Sequence, residues 1–308
     1  MDAKITKKRL KEMLVYDWLK FIALGLAAVF FWMMLFTFTA TKMTFTQQFT
    51  IFNHSTNGMV LNDLYDLLDD CLEDGFSYEV IEHQVIDLSD KADYASAHYD
   101  SYLSTEMAHL IFMPYAEETA QNFINQRFLN LISVNDFMTD MKAYVSLYYA
   151  NGDYINGELN KAKVEEDFRI LLKKQKDKRF RGAKFEIGLT AEYARIESYA
   201  DAIVEFEGYI DSGLICYQAM EVQNSSHPEE VYVEKENYLV NLCPEADSAM
   251  KGLKKYLYRY DGTNNKKTAL NMSVFFVKKG KYCEKAYSYE SLLFLNKLIS
   301  AAQAESGN

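Results

Sequence analysis

Charged, polar and apolar positions are interleaved along most of this chain, but residues 21–41, FIALGLAAVFFWMMLFTFTAT, run for 21 residues without a charge. As a helix rising about 1.5 Å per residue, that run reaches about 30 Å, the thickness of a bilayer's hydrocarbon core. Lys20 and Lys42 close it on both sides, and Trp18 falls where interfacial aromatics gather. The pattern predicts a membrane-spanning helix over 21–41 behind a basic segment, 1–20. A cleaved signal peptide is the rival reading. Its apolar region is usually about 7–15 residues long and ends in a small-x-small site. Here the best such site, Phe38-Thr39-Ala40, has Phe where a small residue belongs, so an uncleaved signal anchor is expected.

Beyond the span the periodicity changes. Residues 43–53, MTFTQQFTIFN, are β-branched and aromatic and read as a strand, ending in the polar loop Asn53-His54-Ser55-Thr56-Asn57-Gly58. Residues 60–73 place Val60, Leu64, Leu67, Leu68 and Cys71 on one helical face, and Gly75 stops the helix. Its acids (Asp63, Asp66, Asp69, Asp70, Glu73, Asp74) read as a solvated face. Residues 78–88 alternate like a strand, 93–108 read as a helix, and 109–113 as a short apolar strand stopped by Pro114. Strand, helix, strand, helix, strand is the rhythm of a parallel sheet, whose ligands sit at the carboxyl ends of strands. The loops at 53–57, 89–91 and 114–117 qualify. Next come a mostly helical stretch over 117–149, interrupted at 130–136, and a basic amphipathic helix over 160–180 read as an exposed face. The remaining pattern predicts a helix at 190–210, strands at 214–222, 231–234 and 238–243, a helical 244–256, a strand at 272–278 and a closing helix at 287–302.

Charge sets the orientation. Lys4, Lys7, Lys8, Arg9, Lys11 and Lys20 precede the span against Asp2, Glu12 and Asp17, and basic residues flanking a span stay in the cytoplasm. The N-terminus is therefore expected inside and residues 43–308 outside, in a single-pass cell-membrane protein. Removing the seven basic and three acidic residues of 1–42 from the chain's 33 and 44 leaves 26 basic against 41 acidic, a net charge of −15. Such a surface repels nucleic acid, whose binding depends on phosphate neutralisation.

The sequence has no G-x-S-x-G, H-E-x-x-H or GxxxxGK[ST], and its histidines (His54, His83, His98, His109, His227) are scattered. Asp261-Gly-Thr-Asn-Asn265 reads as a turn, since Lys266 stands where a calcium loop needs glycine. Cys71, Cys216, Cys243 and Cys283 form no C-x-x-C. They allow three pairings, between which spacing does not choose; buried free thiols are expected, with a disulfide as the alternative. No enzyme activity, cofactor or metal is expected.

Three stretches carry a family likeness: DLSDKADYASAHYDSYLSTEMAHLIFMP (87–114), RFLNLISVNDFMTDMKAY (127–144) and MSVFFVKKGKYCEKAYSYESLLFLNKLI (272–299). In that order they resemble extracellular solute-binding proteins of the type 2 periplasmic-binding fold, and more closely the membrane-anchored relatives found in Gram-positive bacteria. The resemblance implies an α/β domain over 43–308. Lobe 1 would comprise about 43–116 and 245–308, and lobe 2 about 117–244, reduced and mostly helical because 145–212 read as two long helices. It also implies a non-catalytic protein that holds a small polar ligand in a cleft lined by Asn53, Ser55, Pro114 and Tyr115, and that serves a membrane transporter. The alternative is a degenerate binding fold acting as a structural or interaction partner of another membrane protein.

Protease added to intact cells is expected to degrade residues 43–308 while a tag on the N-terminus stays protected. Protection of the C-terminal region, with cleavage only after lysis, reverses the orientation.

Overall fold

The computed structural model describes residues 6–39, 47–54, 59–74, 80–88, 101, 108–175, 180, 182–223, 231–246, 248–261, 265–278 and 289–307. Ser55, residues 43–46 of the first expected strand, nearly all of the expected 93–108 helix, the loop 89–91 and Cys283 lie outside this set. The chain divides into two compact units, Met1–Thr44 and Phe45–Asn308.

The first unit holds α1 (Lys7–Tyr16) and α2 (Trp18–Thr39). Among the described residues, one helix is long and apolar enough to cross a membrane, Trp18–Phe38, and none of it is buried. Asp17 separates the two helices; its carbonyl accepts from the backbone N–H groups of Lys20 (2.8 Å) and Phe21 (3.1 Å), starting the second helix.

The second unit is mixed α/β, as the residue pattern predicts. Its strands are β1 (Gln48–His54), β2 (Val60–Leu61), β3 (Glu82–Leu88), β4 (Leu110–Pro114), β5 (Leu131–Ile132), β6 (Cys216–Gln223), β7 (Val231–Asn241), β8 (Leu257–Tyr260), β9 (Lys267–Thr268) and β10 (Met272–Val277). The helices are α3 (Leu64–Asp74), α4 (Glu117–Arg127), α5 (Val134–Ser146), α6 (Lys161–Gln175), α7 (Phe185–Asp211) and α8 (Glu290–Ser306). The main sheet runs in the order β3-β1-β4-β10-β7-β6, with β5 added beside β10. β3, β1 and β4 are parallel, whereas β10, β7 and β6 are antiparallel to their neighbours. Strands from 43–116, 117–244 and 245–308 thus share one sheet. A small second sheet orders as β2-β8-β9.

Both faces of the main sheet are covered, and alternate residues of each strand go to opposite cores. Phe49, Ile51, Leu110, Phe112, Val274 and Phe276 face α3, α5, α7 and α8. Phe52, Ile111, Met113, Phe275 and Val277 face α4, which contributes Ala120, Phe123 and Ile124. The interruption expected at 130–136 is real. A short 3-10 turn at Phe128–Asn130 leads into β5, and Ser133 then caps α5 by accepting the Asp136 N–H at 3.1 Å.

Three local expectations fail. Val60 and Leu61, expected in the helix over 60–73, form β2 and pair with Tyr258 and Leu257 of β8. Residues 231–234 and 238–243 form one continuous strand, β7, because β6 pairs along its length from Val231 to Asn241. The helix expected over 244–256 is only a 3-10 turn, Lys251–Lys255. That turn is pressed onto the end of α8: the Gly252 N–H donates to Ser306 Oγ at 2.6 Å. A Cβ on Gly252 would lie 2.2 Å from the Ala302 carbonyl oxygen.

Gly252→Ala is therefore expected to destabilise the chain by about 1–3 kcal/mol, the usual cost of overpacking, read as a lowered denaturant midpoint of the detergent-solubilised protein. An unchanged midpoint would show that the turn lifts off α8 at no cost.

Candidate functional site

β1 leads toward α3, whose Leu64, Leu67 and Leu68 pack on one face of the sheet. Its neighbour β4 leads into α4 on the other face. The chain therefore departs in opposite directions from two adjacent parallel strands. That is the switch point at which open α/β sheets leave a crevice.

The expected site residues meet this end unevenly. Asn53 is 1 % exposed, and its amide Nδ2 donates to the Met59 carbonyl at 3.2 Å. Ser55 lies outside the described residues. Pro114 is buried as the last residue of β4, opposite Met272. Tyr115 is half-buried; its backbone N–H donates to the Asn271 carbonyl at 2.6 Å, and its hydroxyl accepts from Gln218 Nε2 at 3.0 Å. Burial pushes the Tyr115 phenol up, with the nearby Glu117 carboxylate adding to the shift and the Gln218 bond opposing it. The hydroxyl is therefore a neutral donor and acceptor at physiological pH.

Around Tyr115 the sheet collects further polar groups. Asn241 Nδ2 donates to Asn271 Oδ1 at 3.1 Å, while Asn241 Oδ1 accepts the Cys243 N–H at 3.1 Å. Asn271 holds a left-handed backbone, φ 57°, which asparagine tolerates well. Ser273, opposite Asn241 and Met113, is fully buried, and its Oγ has no hydrogen-bond partner. Tyr115, Gln218, Asn241, Asn271 and Ser273 thus form a neutral hydrogen-bonding set with donors and acceptors but no formal charge.

Among the described residues, His54, His83 and His109 make structural contacts. His54 is buried with its ring 5.0 Å from that of Phe123. His109 Nδ1 accepts the Thr50 N–H at 3.0 Å, and His83 on β3 meets Asp69 at 2.7 Å. Among the described residues, no group of three or more His, Cys, Asp or Glu side chains is arranged to hold a metal. Cys71, Cys216 and Cys243 are free thiols. Burial pushes Cys71 up to about 12 and also raises the other two, so they stay protonated and unreactive.

A second polar cluster lies deep between α5, α7 and α8. Arg195 and Glu192, each 5 % exposed, form a two-pronged ion pair one turn apart on α7. Arg195 Nη2 also donates to the Tyr144 hydroxyl at 3.0 Å, and the guanidinium lies 5.0 Å from the Tyr199 ring centroid. Tyr199 in turn donates to Glu290 Oε1 at 2.6 Å. Burial opposes the charge on Arg195, but Glu192, Tyr144 and Tyr199 outweigh it and hold the guanidinium well above its usual range. Two open concavities, of about 460 Å³ beside Arg169 and Phe185 and about 640 Å³ between α7 and α8, lie away from the expected site.

No family model, no curated protein and no solved structure matches this chain.

Gln218, Asn241, Asn271 and Ser273 were not among the expected site residues. Their signal was nevertheless present, since Asn241 and Ser273 break otherwise apolar strands (YLVNLC and NMSVFFV) and a polar residue in a buried strand needs a partner. Arg195 and Glu192 gave no such signal, because charged residues three apart on a long helix read as a solvated pair.

Glu192→Gln leaves the Arg195 charge buried without its counter-ion and is expected to cost about 3–5 kcal/mol. The paired change Glu192→Leu with Arg195→Met should recover most of that loss in urea denaturation. Equal losses in both variants would show that packing, not charge, holds this junction.

Proposed function

We propose that this chain is a membrane-tethered, non-catalytic binding module of the solute-binding kind, with its N-terminus in the cytoplasm and its α/β domain outside the cell. It holds a small polar solute at the carboxyl ends of β1 and β4 and passes it to a membrane transporter. The observation that carries the reading is the neutral polar set Tyr115, Gln218, Asn241, Asn271 and Ser273, which runs from the carboxyl end of β4 across the adjoining ends of β10, β7 and β6, beside the switch point. The apolar helix Trp18–Phe38 supplies the tether, and the lysines before it supply the orientation. A set without formal charge suits an uncharged solute rich in hydroxyl or amide groups.

A second reading has its own support. Asn53 and Pro114, two of the expected lining residues, are buried and already bonded within the fold. In that reading the solute cleft has been lost, and the domain is a structural or interaction partner of another membrane protein.

Thermal unfolding of the full chain in detergent, screened against neutral sugars, amino acids and short peptides, separates the two. Under the first reading at least one compound at saturating concentration raises Tm by roughly 5–10 °C, and Gln218→Ala abolishes the shift. A flat screen, together with a stable membrane-protein partner captured independently of any solute, decides for the second.

A further inference from the structure

Helix α1 has ten residues. Its Lys7, Lys8, Lys11, Glu12 and Val15 side chains are exposed, Val15 to 59 %. A helix that short is marginal in water, because nucleation is costly and is repaid only when one face docks on something. Helix α1 is also not a continuation of the span, since the chain breaks at Asp17 before α2 begins. It is a separate element placed directly at the boundary of the apolar helix.

The charge pattern indicates what covers it. Residues 4–11 contain five basic side chains and no acid. With 3.6 residues per turn, Lys7, Lys8 and Lys11 fall within about 100° of the helix circumference. Exposed ammonium groups on one side of a helix beside a span meet lipid headgroups before any other surface, and the attraction is to anionic ones. The sequence positions 10, 13 and 14, spaced to share one helical side, are apolar, the arrangement of a helix lying in the membrane interface.

We propose that α1 is a headgroup-binding helix that docks its Lys7–Lys8–Lys11 side on anionic phospholipid where the span begins. The inference rests on α2 being a span and is independent of any solute site. The phosphates neutralise the lysines, and docking stabilises a helix that would fray in water.

The test is amide hydrogen exchange of the full chain in nanodiscs of phosphatidylcholine alone or with about one third phosphatidylglycerol. Exchange over residues 7–16 should be at least about tenfold slower in the anionic discs, since each lysine near such a surface contributes about a fivefold effect. High salt should weaken the protection. The triple change Lys7→Gln, Lys8→Gln, Lys11→Gln should remove it, and the corresponding arginine variant should keep it. Equal exchange in both discs overturns the proposal, as does protection that survives the glutamine changes, which would assign the helix to a protein partner instead. Amides of residues 21–38 report separately: if they exchange freely in both discs, the span itself is wrong and this proposal falls with it.

Discussion

The α/β domain is organised by α8 lying across the centre of the sheet. Phe294 brings its ring to 5.8 Å from that of Phe49 on β1 and 6.5 Å from that of Phe112 on β4. Leu292, Leu295, Leu298, Ile299 and Ala302 are completely buried beside it. Each such side chain contributes about 1.5–3 kcal/mol relative to exposure. The helix is therefore covered on most of its surface, as a central core helix must be. Three elements on that side of the sheet pack against it: α3, α7 and the Lys251–Lys255 turn, the last against its final residues.

Within that apolar frame, two clusters of polar groups differ in their chemistry. At the junction of α5, α7 and α8, the Glu192–Arg195 ion pair is buried beside the hydrogen bond from the neutral Tyr199 hydroxyl to Glu290. A buried ion pair adds little net stability relative to an apolar replacement. Glu192 and Arg195 both belong to α7, so its ties to the neighbouring helices are the Arg195–Tyr144 hydrogen bond to α5 and the Tyr199–Glu290 hydrogen bond to α8. At the end of the sheet the groups are neutral and belong to strands, so their spacing is set by the ladder itself. The first cluster is suited to holding a fold together. The second is held by side-chain hydrogen bonds without formal charge.

Electrostatics divides the chain along its length. The segment before the apolar helix is basic, while residues 43–308 carry a net charge of −15. On α6 the basic run is locally neutralised, as Lys163 pairs with Asp167 at 2.9 Å and Arg169 with Glu165 at 2.6 Å, each one turn apart. Exposed pairs of this kind contribute little to stability, and they leave the acidic balance of residues 43–308 intact.

The sequence by itself determined the features that depend on neighbours along the chain. These include the apolar helix, read as 21–41 and observed as Trp18–Phe38, and the strand-and-helix alternation that produced the β1, β3 and β4 strands. The long helices α6 and α7 were also legible, because uninterrupted periodicity over many residues has one local solution. The interruption at 130–136 was legible too, since Ser133 is a capping residue by type.

Only the tertiary structure decided what depends on residues far apart. Gly252 looked compatible with a helix until α8, some 50 positions later, was found pressed against it. β6, β7 and β10 joined the same sheet as β1 and β4 through pairings that no local pattern encodes. Arg195 and Glu192 carry no local mark of burial; Tyr144 and Tyr199, from elsewhere on α5 and α7, enclose the guanidinium. Of the expected site, Asn53, Pro114 and Tyr115 were correctly placed at strand ends. Their burial, and the company of Gln218, Asn241, Asn271 and Ser273, follow from strand order. Strand order is set by which faces bury together, a long-range free-energy balance that periodicity does not record.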